Sequence, residues 1–244
     1  MLTRAELKQR AKDSMSAAST HPVLITLVFI LVVFAASGVL SFISTIITSA
    51  IGITTSIATM DSEIPAFGAM FAVLPISIIV SILSFGISCV LQTGYTSYTL
   101  KTIRRQDSGL EELFAFFKAC VKLFGLYFFV QLFIMLWTCL FFFPGIIAAY
   151  RYRMAVYLYL DHPEKGIFEC ISESKQMMVG HKFELFVLDL SFILWGLLCM
   201  VTCGIAALYV TPYVTLTNSV YYDNLNYINT PQPQYTETPV AEVE

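Results

Sequence analysis

Charged residues are absent from three long stretches of the chain: residues 22–60, 64–100 and 123–150 contain no Asp, Glu, Lys or Arg. A helix needs about 20 apolar residues to cross the hydrocarbon core of a membrane, so each stretch is long enough for at least one span. Helices in the core of soluble proteins keep a polar face, which stretches of this kind lack. The pattern therefore predicts an all-α, polytopic membrane helical bundle.

The basic residues divide the apolar stretches into pairs. All fourteen Lys and Arg residues lie within residues 4–12, 101–122 and 151–182. Because Lys and Arg near span ends are retained on the cytoplasmic side, an even number of spans should separate consecutive basic groups. We therefore predict a multi-pass protein of the cell membrane with about six transmembrane helices, arranged as three hairpins, and cytoplasmic N- and C-termini. The predicted hairpins cover about residues 22–98, 123–160 and 183–222.

Proline and glycine mark the predicted turns of the second and third hairpins. Proline ends a helix and glycine tolerates unusual backbone dihedrals, so we predict turns at Pro144, Gly145 and Gly204. The first hairpin would turn in an external loop that carries Asp61 and Glu63. A competing arrangement replaces the second hairpin with one long span. It would put the later lysines of the third basic group outside the cell, against the positive-inside rule.

Each hairpin is preceded by a predicted amphipathic cytoplasmic helix. Thr3 with Glu6 and Ser108 with Glu111 fit the capping box that begins a helix. The third helix covers residues 163–180, with proline in its first turn and glycine at its end. Helices of this kind either lie in the membrane interface or pack on one another as a small cytoplasmic cap.

Composition agrees with a lipid environment, since 57% of the 244 residues are hydrophobic and only 13% are charged. Soluble proteins carry roughly a quarter charged residues. We expect one membrane-embedded helical domain over residues 1–225. The polar, proline-bearing segment 226–244 is predicted to be a disordered cytoplasmic tail. A cleaved signal peptide is the alternative for the N-terminus. However, about 20 mostly polar residues precede the apolar run, which continues to Ile51, and neither feature is typical of one.

The candidate functional residues are polar groups inside the predicted spans. Counted at ~1.5 Å per residue from the cytoplasmic ends, they lie at similar depths of roughly 10–15 Å. They are Arg151, Arg153, Asp189, Gln131 and Gln92. Charges at such depth cost several kcal/mol and should face the bundle interior or a water-filled cavity. We predict that Arg151 or Arg153 pairs with Asp189, with both glutamines nearby, in a vestibule open to the cytoplasm. The alternative is a purely structural pair, or arginines that extend to the interface.

Motifs of known chemistry are missing from the sequence. There is no H-E-x-x-H, no G-x-S-x-G and no phosphate-binding glycine loop, and the six cysteines lack metal-ligand spacing. We therefore expect no enzyme, no metal and no cofactor. The favoured function is a non-enzymatic lipid- or protein-binding membrane component. The alternative is a small-solute or ion transporter or channel that uses the Arg/Asp layer. The expected partners are the lipid bilayer, other membrane proteins or further copies of the chain, and no nucleic acid.

Several segments of the C-terminal half carry a resemblance to a known family. They are Pro144-Gly-Ile-Ile-Ala-Ala-Tyr-Arg-Tyr-Arg-Met, Ser174-Lys-Gln-Met-Met-Val-Gly-His-Lys-Phe-Glu-Leu-Phe, Leu190-Ser-Phe-Ile-Leu-Trp, Pro212-Tyr and Tyr221-Tyr-Asp-Asn-Leu. Together they resemble the bacterial integral-membrane family catalogued as domain of unknown function 975, which the N-terminal half resembles in layout only. The resemblance implies an uncharacterised multi-pass membrane protein and supplies no activity.

Overall fold

The computed structural model describes residues 3–18, 21–58, 67–106 and 108–229, and every regular element in these ranges is helical. The α-helices are α1 (Arg4–Ala17), α2 (Pro22–Ala58), α3 (Phe67–Ile103), α4 (Cys120–Leu140), α5 (Phe142–Tyr152), α6 (Ala155–Asp161), α7 (Ile167–Met177), α8 (Lys182–Leu190), α9 (Ile193–Val201) and α10 (Ala207–Asn229). Two 3-10 segments, Leu110–Leu113 and Ala115–Ala119, precede α4. The predicted all-α class agrees with this architecture.

Four helical segments among the described residues are long and apolar enough to cross a membrane. They are Pro22–Ile51, Val73–Ile103, Leu110–Leu140 and Lys182–Val201. The two remaining predicted spans correspond to α5–α6 and α10, and neither is among the segments that are long and apolar enough to cross a membrane. The helix from α5 to α6 is interrupted at Arg153 and Met154, and α10 carries many hydroxyl and amide side chains. The six-span arrangement therefore stays a prediction.

A belt of exposed apolar side chains surrounds the helices with spanning character. We call this surface the apolar belt. It includes Leu31, Phe34, Phe42 and Ile46 on α2, Ile78, Ile79 and Ile82 on α3, Leu132, Met135 and Leu136 on α4, and Leu194, Leu197 and Met200 on α9. Soluble monomers rarely expose so much contiguous apolar surface. The chain is therefore a membrane protein that contacts lipid.

The first hairpin is formed by two helices of 37 residues each, α2 and α3. At ~1.5 Å per residue each is about 55 Å long, well beyond the thickness of a hydrocarbon core. The two helices are antiparallel, because Thr26 near the start of α2 hydrogen-bonds Tyr95 near the end of α3, with 2.8 Å between the hydroxyl oxygens. The predicted loop with Asp61 and Glu63 lies outside the described residues.

The turn between α4 and α5 differs from the sequence prediction. The extended residue is Phe141, with φ −157° and ψ 142°, three residues before Pro144. Pro144 lies in the first turn of α5, where proline costs no hydrogen bond. Gly145 serves close packing, since a Cβ there would be 2.2 Å from Oγ1 of Thr138 in α4. Gly204 lies in the turn between α9 and α10, with φ +89°.

The three segments before the hairpins differ from one another. Thr3 caps α1, because its Oγ1 accepts from the Glu6 amide at 3.4 Å and its own amide donates to Glu6 Oε2 at 2.7 Å. The second segment is two 3-10 turns, not the predicted α-helix. A Cβ on Gly94 of α3 would be 2.6 Å from the backbone oxygens of Glu112 and Leu113, so tight packing on α3 overrides the local helical pattern.

Two predicted boundaries also shift. Helix α7 begins at Ile167 rather than at 163, and it is followed by a turn that ends at Gly180 with φ +84°. Helix α10 continues to Asn229, beyond the predicted end of the domain at 225. Residues 230–244, most of the predicted tail, lie outside the described residues.

Helix α10 lies at the centre of the bundle. Tyr221, Tyr222 and Leu216 on this helix are 2% exposed or less and belong to the largest buried cluster, to which α1, α3, α6, α7 and α8 also contribute. The faces of α3 and α10 in this region carry many buried polar groups. They are Thr93, Thr96, Ser97, Thr99 and Thr102 on α3, and Thr217, Asn218 and Ser219 on α10. Polar groups thus concentrate at the end of the bundle where α3 and α10 finish.

Candidate functional site

The predicted arginine–aspartate contact involves Arg153, the residue that follows α5. Its guanidinium forms an ion pair with the Asp189 carboxylate of α8. The hydroxyl of Tyr150 donates to the same Asp189 oxygen at 3.0 Å, and its ring centroid lies 5.8 Å from the Arg153 guanidinium carbon. The two charged side chains are 31% and 26% exposed. We call these two residues the Arg153 pair.

The other predicted members of this site lie elsewhere. Arg151 forms no ion pair with Asp189 in the described structure. Its backbone oxygen accepts from Ser174 at 3.0 Å, while its Nε is buried and has no hydrogen-bond partner among the described residues. Gln92 and Gln131 have exposed side chains, and within the described structure neither hydrogen-bonds to the pair. Depth along a helix is readable from a sequence, but the direction in which a residue projects depends on how the helices pack.

A second arginine site, which the sequence analysis missed, joins three helices. The guanidinium of Arg104, one residue beyond α3, donates to both oxygens of Asp161 in α6, at 2.6 and 2.9 Å. It also donates to Asp223 in α10, at 2.6 Å from Nη2 and 3.1 Å from Nε. Tyr222 adds a hydrogen bond of 2.8 Å to Asp161. We call these four residues the Arg104 cluster.

The Arg104 cluster is electrostatically well matched. Desolvation by burial alone would raise the pKa of Asp161. Hydrogen bonds from Arg104 and Tyr222, together with the Arg104 charge, outweigh that effect and hold the pKa of Asp161 below its ordinary value. Planar guanidinium groups match carboxylates with two parallel hydrogen bonds, which makes such contacts strong and directional. The cluster therefore fixes the ends of α3, α6 and α10 against one another.

A cavity of about 900 Å³ lies beside the Arg104 cluster, between α1, the end of α3 and α10. Its walls are mainly polar. The cavity is lined by, among others, Arg10 and Asp13 from α1, Arg105 just beyond α3, and Asp223 and Asn224 from α10. Asn224 Nδ2 is buried and has no hydrogen-bond partner among the residues that the structure describes. Known small-molecule sites occupy roughly 300–1,000 Å³, so this cavity is large enough for a ligand.

The charged helix α1 lies beside the middle of a candidate span. Lys8 Nζ is 4.5 Å from the ring centroid of Phe192, and Lys12 Nζ is 5.8 Å from that of Tyr213. Phe192 falls between α8 and α9, halfway along the candidate span Lys182–Val201. Burial, and then the neighbouring Lys12 charge, lower the pKa of Lys8. Helix α1 is thus packed into the bundle and does not project away from it.

Comparisons with known proteins identify a family and no function. The family described as "Protein of unknown function (DUF975)" matches residues 1–148 and 140–229, so the match includes the N-terminal half as well. No curated protein matches the chain, and no solved structure does. Because the two matched segments cover most of the 244 residues, the chain belongs to this family of proteins of unknown function.

Proposed function

We propose that the chain is a non-enzymatic component of the cell membrane that crosses the bilayer six times and binds lipid. In this arrangement α2, α3, α4, α5–α6, α8–α9 and α10 are the spans, and both termini are cytoplasmic. The apolar belt supports contact with lipid. The basic residues near the helix ends support the orientation.

Contacts between helix ends support the three-hairpin arrangement. Arg104 brings together the ends of α3 and α6 and the distal part of α10. At the same level, Lys122 at the start of α4 donates to the Pro163 carbonyl after α6, at 2.5 Å. Tyr221 of α10 donates to the carbonyl of His181, just before α8, at 3.0 Å. These contacts are expected if three helices cross outwards, three return, and all six have their charged ends in one plane.

The orientation can be tested with a thiol label on α7. Ser172 is exposed, and the proposal puts it in the cytoplasm. A Ser172→Cys variant should gain no labelling over the unsubstituted chain when intact cells are treated with a membrane-impermeant maleimide. It should gain strong labelling in inside-out vesicles. Added labelling in intact cells would overturn the six-span orientation.

The cavity between α1, α3 and α10 is the observation that carries the lipid-binding function. It lies at the charged end of the bundle, where headgroups meet the protein in the proposed orientation. Its walls combine guanidinium and carboxylate groups with apolar side chains such as Ile103 and Val220. A lipid headgroup, together with the adjoining part of its acyl chains, would bind to such a mixture of polar and apolar surface.

Filling the cavity tests lipid binding. Ala17 lines the cavity and its neighbour Ser16 does not, although both are exposed residues of α1. We expect Ala17→Trp to reduce the amount of lipid that remains bound to the purified protein in native mass spectrometry. The matched control, Ser16→Trp, should retain lipid like the unsubstituted chain. Equal lipid retention by the two variants would reject the cavity as the lipid site.

Transport is the second candidate function, and the depth of α1 favours it. If the spans are as proposed, Lys8 lies against Phe192, halfway along a candidate span, where a charged group requires water. A hydrated vestibule around α1 could extend towards the Arg153 pair. A water-soluble thiol reagent should then modify Gln9→Cys on α1 and spare Leu194→Cys in the apolar belt. Uptake of solutes into liposomes that contain the purified protein, lost in Asp189→Asn, would favour transport over lipid binding alone.

A further inference from the structure

Two guanidinium groups reach the cavity without an ion pair to any carboxylate that the structure describes. Arg10 projects from α1 and Arg105 follows α3, and the ion pairs of the described residues include neither of them. Asp223, which also lines the cavity, is already bound by Arg104. Within the described part of the chain, the cavity therefore presents two positive groups that no direct ion pair neutralises.

Arg105 lines the cavity with a backbone conformation that is unusual for an arginine. Its φ is +54°, a left-handed conformation that glycine adopts easily and an arginine side chain disfavours. The conformation closes the end of α3, since the Gln106 amide donates to the Lys101 carbonyl at 3.0 Å. Glycine would close the helix at a lower conformational cost. Closing the helix does not require an arginine here. A basic residue at a span end fits the cytoplasmic side, and this one also lines the cavity.

A third donor belongs to Asn224, a residue that lines the same cavity. The side-chain nitrogen of Asn224 is buried and donates to no acceptor among the described residues, which is costly for an amide. It lines the cavity together with Arg10 and Arg105. An oxygen-rich anionic group in the cavity would accept hydrogen bonds from Arg10 and Arg105, and a small rotation of the Asn224 side chain would add its amide as a third donor.

The acidic side of the cavity restricts the ligand further. Asp13 of α1 lines the same space, and its only side-chain hydrogen bond in the described structure is with Gln9, at 2.9 Å. In and beside the cavity, the three arginines Arg10, Arg104 and Arg105 are balanced by the three aspartates Asp13, Asp161 and Asp223. A ligand with both charges preserves this balance, whereas a simple anion would be repelled by Asp13.

We propose that the cavity binds a phosphate group with an ammonium group nearby, as in phosphoethanolamine, with the phosphate on Arg10, Arg105 and Asn224 and the ammonium on Asp13. This inference rests on the proposed lipid-binding function and names the headgroup that the site takes. The same chemistry is present in a phospholipid headgroup and in soluble glycerophosphoethanolamine, and the experiment separates these two sources.

The test uses the full chain in nanodiscs that contain phosphatidylethanolamine and phosphatidylglycerol in equal amounts. Native mass spectrometry should find phosphatidylethanolamine preferentially bound. Arg105→Gln should weaken that binding about tenfold, the size expected from losing a charge-assisted hydrogen bond. Arg4→Gln, an exposed arginine of α1 outside the cavity, is the matched control. Equal binding of the two lipids by the unsubstituted chain would overturn the proposal.

Asp13→Asn sharpens the assignment of the ammonium group. Removing this carboxylate should shift the preference towards the anionic phosphatidylglycerol, while a preference unchanged by the substitution would overturn the role of Asp13. In detergent, competition by soluble glycerophosphoethanolamine at affinities similar to the lipid would assign a soluble ligand. Competition by the intact lipid alone would assign the membrane source.

The two proposals fail in different ways. If Ala17→Trp reduces bound lipid but the protein has no headgroup preference, lipid binding stands and the phosphoethanolamine site is wrong. If Ala17→Trp leaves bound lipid unchanged, the cavity does not bind lipid and the proposed function fails with it.

Discussion

The two arginine sites differ in a way that the sequence does not suggest. The Arg153 pair interrupts apolar sequence and therefore stands out, yet it joins the residue after α5 to α8 through one carboxylate. Arg104, at the end of α3 among other charged residues, donates five hydrogen bonds to two carboxylates. Arg153, which is easy to find in the sequence, contacts one carboxylate. Arg104, which is not, holds three helices together.

Burial and geometry explain the difference. The Asp161 side chain in the Arg104 cluster is 15% exposed, against 26% for Asp189. Arg104 uses the planar fork of its guanidinium on Asp161, which gives two parallel hydrogen bonds, whereas Arg153 makes a single contact with its aspartate. We infer that the Arg104 cluster is structural and that the Arg153 pair, half-open and inside the apolar belt, is the better candidate for a functional role.

Removal of Arg104 should have the largest effect on stability. Arg104→Ala leaves Asp161 and Asp223 partly buried without their counter-charge, and breaking such a contact costs roughly 3–5 kcal/mol. The melting temperature of the purified protein in detergent should fall steeply. Arg104→Lys should recover part of the loss, because lysine keeps the charge and loses the paired geometry. If Arg104→Ala melts like the exposed control Arg4→Ala, the cluster is not a structural tie.

The Arg153 pair should contribute less. Its side chains are about 30% exposed, so we expect Asp189→Ala to cost about 1–2 kcal/mol, between the values typical of exposed and buried pairs. A double-mutant cycle with Arg153→Gln measures the coupling directly, since the two losses should not add. If Asp189→Ala lowers the free energy of unfolding as much as Arg104→Ala does, the ranking of the two sites is wrong.

Sequence reasoning identified the Arg153 pair because charges inside apolar runs are rare and have few available partners. It could not identify the Arg104 cluster, whose contacts join residues 57 and 119 positions apart. Asp161 and Asp223 lie near predicted span ends, where charges are expected whether or not they interact. The helical class follows from the hydrophobic pattern, but the 3-10 turns before α4 depend on a close approach to Gly94 that no local pattern encodes.

Acid should weaken the Arg104 cluster selectively. The pKa of Asp161 is lower in the folded protein than its ordinary value of 3.8, so its ionised form stabilises the folded state. That contribution is fully present above the ordinary pKa and is lost as pH falls through the lower folded value. The difference in melting temperature between the unsubstituted chain and Asp161→Asn should therefore shrink as pH is lowered from 7 to 3. A constant difference over this range would contradict the assigned shift, and Glu111→Gln, at an exposed carboxylate outside both sites, serves as the control.

The smallest effect should come from Tyr150 beside the Arg153 pair, and Tyr222 of the Arg104 cluster provides the comparison. Tyr222→Phe removes one hydrogen bond to Asp161 from a side chain that is fully buried, and Tyr150→Phe removes one to Asp189 from a side chain that is partly exposed. A buried hydrogen bond to a charged group contributes about 1.5 kcal/mol or more, and water can replace a bond that is partly exposed. Tyr222→Phe should therefore lower the melting temperature in detergent more than Tyr150→Phe does. Because each substitution removes one phenolic hydroxyl, the difference between the two losses measures how much less water reaches the Arg104 cluster than the Arg153 pair. Equal decreases in melting temperature would mean that both sites exclude water to the same extent. That result would contradict a hydrated vestibule around the Arg153 pair.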